Sequence, residues 1–168
     1  MPRKYVRRGR QAVEKPKYDM GTPELRIKRL AALGPQRQGW PAPDLSYSES
    51  ALGCLLWQGY LHPDYSHAKA MHDVGVQFAG WMILVHPKLH AQGTLGQFQP
   101  KEGSEEIDTT EAEANLRDAS EYLKKERAVY DAVVNTCVYN RINHDKVSKL
   151  RTGLCRLMEW HKAQRKAA

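Results

Sequence analysis

No pair of cysteines in this chain has CxxC spacing: Cys54, Cys137 and Cys155 are odd in number and far apart. Neither a disulfide framework nor a zinc knuckle can be built from them, and a reducing, cytoplasmic setting is expected. Long apolar runs are missing too. The most apolar window, Val74 to Val85, is about twelve residues and contains Gln77, against roughly twenty for a bilayer span. It reads as a core helix, and no membrane partner is expected. The stretch after Met1, PRKYVRRGRQAVEKPKYD, has no apolar segment of the kind an export signal needs. Strand-length alternation of apolar and polar residues, a repeat period, a glycine-rich phosphate loop and a nucleophile elbow are likewise absent. These absences leave an all-α, non-enzymatic reading, with no catalytic residue and no cofactor assigned.

What the chain does have is positive charge, concentrated at one end. Its 168 residues carry a net charge of +7. Residues 1 to 37 contain eleven basic and three acidic side chains, so the remainder is close to neutral. Residues 1–21 hold Arg3, Lys4, Arg7, Arg8 and Arg10 with almost no apolar periodicity. Such a composition cannot offset the entropy of ordering, and a disordered basic arm is expected there.

From residue 22 the spacing predicts a single helical domain to about residue 165, a small bundle of about five helices. Thr22, Pro23 and Glu24 form a helix start, with Leu25, Ile27, Leu30 and Leu33 as its apolar positions and Gly34–Pro35 as its stop. Trp40 in the connector is expected against the core. Ser48 is the expected cap of a helix carrying Leu52, Leu55 and Leu56 and ending at Gly59. Pro63 and Asp64 open a longer helix with the stripe Tyr65, Ala68, His72, Val76, Ala79 and Met82 or Ile83, stopped by Pro87. Residues 88–109, rich in Gly, Gln and acids, are read as a mobile loop whose Glu102, Glu105, Glu106 and Asp108 are solvated. Thr110 and Glu113 have capping-box spacing. The helix that follows runs to Tyr139 or breaks near Arg127, and the last helix, opened near Asp145, carries Val147, Leu150, Leu154, Leu157 and His161 before a frayed basic tail from Lys162.

Two helical hairpins with short turns, together with the basic arm, give helix-turn-helix-like signals. In the C-terminal pair, read with a four-residue turn, Lys149, Thr152 and Arg156 project away from the leucine stripe, and the second helix resembles a recognition helix. The candidate nucleic-acid contacts are Arg3, Lys4, Arg7, Arg8, Arg10, Arg26, Lys28 and Arg29 at the N-terminal end, and Lys146, Lys149, Arg151 and Arg156 on the last helix. Arginine and lysine clusters bind phosphate through counterion release, which is steep in salt and blind to sequence. DNA is expected before RNA. Gly75, Ala79 and Gly80 suggest a close helix approach, within the chain or at a homo-oligomer seam. Trp57, Trp81 and Trp160 read as core anchors. A metal is not expected: His62, Asp64, His67 and His72 are close, but the 67–72 interval points two rings apart, and Pro87 separates His86 from His90. The three thiols read as small buried hydrophobes.

The runs GTPELRIKRLAALG, SALGCLLWQGYLHPDYSHAKAMHDVGVQFAGW and VYDAVVNTCVYNRINHDKVSKLRTGLCRLMEW resemble small helical proteins of bacteria, chiefly alphaproteobacteria, and their phages. These look like relatives of helix-turn-helix transcription regulators, and the likeness covers about half the chain in three blocks. It implies a helical DNA-binding protein of phage or bacterial origin, with transcription control as the first role and the DNA-recognition small subunit of a packaging machine as the second. A structural or adaptor protein docking on a protein partner remains the reading from a different class.

Overall fold

A computed structural model describes residues 22–87 and 109–167; among them the chain forms six α-helices and no strand. The basic arm, residues 1–21, and all of the expected loop except Thr109 lie outside the described residues. α1 (Pro23–Leu33) starts where the Thr22 hydroxyl accepts the Leu25 N–H at 3.4 Å and ends at Gly34, φ 80°. Its apolar positions fare differently from expectation: only Leu33 is buried, while Leu25, Ile27 and Leu30 stay 42%, 66% and 39% exposed. The helix is held at its flank by the Arg29–Glu49 ion pair at 2.6 Å and by Gln58 Nε2, which donates to the Ala32 carbonyl at 3.4 Å.

A 3₁₀ turn at Leu45–Glu49 precedes α2 (Ala51–Trp57). Ser50, not Ser48, caps α2, its hydroxyl accepting the Gly53 N–H at 2.9 Å. Ser48 is used inside the 3₁₀ turn, where its hydroxyl donates to the Leu45 carbonyl at 2.6 Å. α2 is wrapped on nearly all sides, and Leu55, Leu56 and Trp57 are inaccessible or almost so. Each buried side chain of leucine or phenylalanine size stabilises the fold by about 1.5–3 kcal/mol.

α3 (Tyr65–Val85) opens on Asp64, whose carboxylate accepts the His67 N–H at 2.9 Å, and stops before Pro87. It packs against α2, α4, α5 and α6. Its buried face is Ala68, Met71, Val74, Gly75, Phe78, Ala79, Met82 and Ile83. The stripe expected from spacing was therefore rotated: Val76 is exposed and His72 only half-buried, because four neighbours bury a wide arc centred on Met71 and Phe78. At Gly75 an added Cβ would lie 2.7 Å from Leu52 Cδ2 and 3.0 Å from Leu154 Cδ2, so the close approach is internal to the chain. Among the described residues nothing lies within 4 Å of a Cβ added at Gly80.

α4 (Thr110–Lys124) and α5 (Arg127–Cys137) are separate helices, giving six where about five were expected. The helix entry also falls one residue earlier: Thr109, not Thr110, is the N-cap, and its hydroxyl donates to Glu113 Oε1 at 3.0 Å. The break at Lys125–Glu126 lets Leu123 and Val129, on either side of it, both reach full burial. α5 and α6 (Val147–Ala167) are joined by residues 138–143 and a 3₁₀ turn at His144–Lys146, a longer link than the four-residue turn the sequence suggested. Asn140 sits in the left-handed region at φ 54° and braces this link: its Oδ1 accepts the Ala51 N–H and its Nδ2 donates to the Glu49 carbonyl at 3.4 Å. α6 buries Val147, Leu150, Gly153, Leu154, Leu157 and Trp160 and continues to Ala167, past the point where fraying was expected. One core cluster draws residues from all six helices.

Candidate nucleic-acid interface

The cations singled out by sequence do not share one face. Arg3, Lys4, Arg7, Arg8 and Arg10 lie outside the described residues. Arg26 and Lys28 are exposed on α1, whereas Arg29 is committed to Glu49. On α6, Lys149 and Arg156 are seven residues apart and so nearly superposed along the axis, while Arg151 is about 200° round from Lys149. The groove-facing set expected from spacing is split accordingly. Lys149 and Arg156 both pair with Glu126 at the α4–α5 break, the latter at 3.3 Å, and are not free for a polyanion. The Lys149 hydrogen bond, seconded by Arg156, holds the Glu126 carboxyl below the ordinary carboxylate value. Lys146 is exposed, with no ion pair among the described residues.

Arg151 points the other way, and it has company that sequence reasoning missed. Its Nε donates to the Tyr60 carbonyl in the turn between α2 and α3. Gly59, the residue before, has φ 73°, and a Cβ there would run into the Arg37 guanidinium, which therefore lies directly against the turn. Arg37 also stands 5.5 Å over the Trp40 ring. Trp40 is in turn fixed edge-on to Trp57 at 5.8 Å and Tyr65 at 5.1 Å, so the arginine rests on a rigid aromatic floor. Two arginines from distant parts of the chain thus contact consecutive residues of one turn. Neither has a carboxylate partner among the described residues.

An exposed aromatic stands beside them. The Tyr60 ring is 42% exposed and tilts against His144 at 5.2 Å. Along the same connector Tyr139 is exposed, with the Arg141 guanidinium 5.9 Å from its ring centre. The connector is stitched to α2 by Asn140 at one end and reaches Tyr60 at the other through His144. The connector is a strip of chain carrying Tyr139, Arg141, His144 and Lys146, and its His144 end lies against the Tyr60 turn that Arg37 and Arg151 also touch. Asp145 is the acid within that strip. A glycine followed by an aromatic in a turn between apolar helices was the sequence signal available for Tyr60. Arg37 carried none beyond its charge.

Elsewhere the chemistry is quieter. His67 packs on His62 at 4.3 Å and His72 on Tyr47 at 5.1 Å, as the 67–72 interval required, and among the described residues no three His, Cys, Asp or Glu side chains are grouped to hold a metal ion. Burial pushes the Cys137 thiol up to about 12 and raises Cys54 and Cys155 as well, so all three are held as thiols near neutrality. Trp57 and Trp160 are buried, and Trp81 stacks edge-on to Trp160 at 5.6 Å. An open groove of about 440 Å³ lies between the end of α3 and α4, lined by Met82, His86, Glu113, Arg117 and Tyr130 among others, with charges of both signs. No helix among the described residues is long and apolar enough to cross a membrane. Compared with family models, curated proteins and solved structures, the chain matches none.

Proposed function

We propose that this is a non-enzymatic nucleic-acid-binding protein of the cytoplasm, acting on DNA, with transcription control as its first role. The observation that supports the reading is the meeting of Arg37 and Arg151 on the Gly59–Tyr60 turn without a carboxylate partner among the described residues. Two guanidinium groups on one turn, neither neutralised by a carboxylate among the described residues, offer charge-assisted hydrogen bonds to a phosphate. The basic residues of the N-terminal segment add sequence-independent attraction to the same polyanion. Self-association, and with it the packaging-subunit role, belongs to the same proposal; a ring detected by solution mass favours packaging, and a footprint on one promoter favours regulation.

The test is a binding curve against salt with fluorescently labelled nucleic acid. Binding is expected in the micromolar range or tighter at about 50 mM salt, where phosphate contacts are strongest. Arg37→Ala and Arg151→Ala should each lower the log–log salt slope by about 0.7–0.9, the loss of one phosphate contact. Absence of binding at that salt ends the proposal. The adaptor reading then takes over, favoured by one observation of its own: the uncovered Leu25, Ile27 and Leu30 on α1.

A further inference from the structure

We infer that the strip ending at Tyr60 takes unpaired, single-stranded nucleic acid, with Tyr60 and Tyr139 as base-stacking platforms and Arg37, Arg141 and Arg151 at the backbone. The inference rests on the nucleic-acid reading above and names its substrate class. Duplex readers of the helical type lay one helix in the major groove with polar side chains free along its outer face. The cations of α6 that the sequence offered for a groove are drawn elsewhere: Lys149 and Arg156 share the Glu126 carboxylate, and Arg151 is turned onto the Tyr60 carbonyl.

The connector and turn have the parts a single strand uses instead. Bases freed from a duplex expose flat faces that stack on aromatic rings, while the backbone follows a line of cations. Tyr60 and Tyr139 keep part of their rings in water, and each has a basic or imidazole side chain beside it. The other large aromatics among the described residues are spent on packing: Trp57, Phe78, Tyr47 and Trp160 are buried, Trp40, Trp81, Tyr122 and Tyr130 pack against the core, and Tyr65 is edge-on to Trp40. Four residues lie between Tyr139 and His144, five steps of chain. Even fully extended they span at most about 18 Å, a reach of a few nucleotides. The carboxylates at hand are few: Glu49 beside the connector is taken by Arg29, which leaves Asp145 as the acid in the strip.

The experiment compares a labelled thymidine strand of about 12 nucleotides, within the range one small site covers, with a duplex of equal length, at about 50 mM salt. The full chain is used with its Tyr60→Ala and Tyr60→Phe variants. The strand should bind at least about tenfold more tightly than the duplex, and Tyr60→Ala should weaken strand binding about tenfold at unchanged salt slope. Tyr60→Phe should bind like the parent, since the ring and not the hydroxyl stacks. Because Tyr60 is exposed, an unchanged helical circular dichroism signal is expected, and Tyr139→Ala provides an independent variant with a loss in the same direction. A uridine strand run in parallel reads whether the sugar matters to a site that stacks bases. Equal or tighter duplex binding, or strand binding indifferent to both tyrosines, overturns the inference while nucleic-acid binding stands. Failure to bind either probe removes the function on which it rests.

Discussion

Glu126 sits where α4 gives way to α5, and its two oxygens take up Lys149 and Arg156 from α6. Because these cations hold its carboxyl below the ordinary value, the folded state favours the ionised form. The stability this brings is complete above the unfolded value, about 4.3, and is lost as pH falls through the lower folded value. Glu126→Gln should therefore unfold more readily than the parent at neutral pH, yet lose less stability between about pH 5 and pH 3; parallel curves from urea melts across that window would contradict it. The residue also shows what charge counting misses. Lys149 and Arg156 look available in sequence because Glu126 lies 23 and 30 residues before them. Their partner lies two helices' worth of packing away. Arg37, by contrast, is the single cation of a proline- and glutamine-rich connector, and its place shows only once the turn at Gly59 is folded against it.

Elements whose limits are set by neighbours in sequence were legible. Thr22 and Asp64 cap their helices with their own side chains, and Gly34 and Gly59 end theirs with φ of 80° and 73°. Those set by packing were not. The α4–α5 break, the rotated buried face of α3 and the length of the link before α6 all depend on which helix lies opposite, and α1 left most of its leucines in water because little packs over them. Glycine in α2 and α3 separates the two kinds of cause. At Gly53 a Cβ would overlap the backbone carbonyl of Tyr47, which cannot swing aside, so Gly53→Ala should cost about 3 kcal/mol. At Gly80 the space is open, and alanine there should stabilise by about 0.5–1 kcal/mol through helix propensity alone. Chemical unfolding at constant slope measures both. A destabilising Gly80→Ala that deepens with protein concentration would instead identify α3 as the seam of an oligomer.

For the whole molecule, charge and fold are distributed unequally. Residues 1 to 37 carry more positive charge than the chain as a whole, so the helical body beyond them is nearly neutral. On the proposed function, affinity for a polyanion is the sum of a long-range attraction from the N-terminal segment and a short-range fit at the Gly59–Tyr60 turn. Deleting residues 1–21, which carry seven of the basic side chains, should lower the salt slope and the association rate while the helical circular dichroism signal and the effect of Tyr60→Ala stay as they were. Loss of helical signal would mean that the deleted segment belongs to the core. All-α architecture and the main core residues followed from periodicity and spacing. The place where the ends of the fold meet did not, since no local pattern ties residue 37 to residue 151.

That meeting also dates the site in the life of the chain. Arg37 leaves the ribosome well before Arg151. A nascent polypeptide therefore displays its tyrosine-bearing turn without the second guanidinium, and a product cut short before α6 lacks Arg151 there altogether.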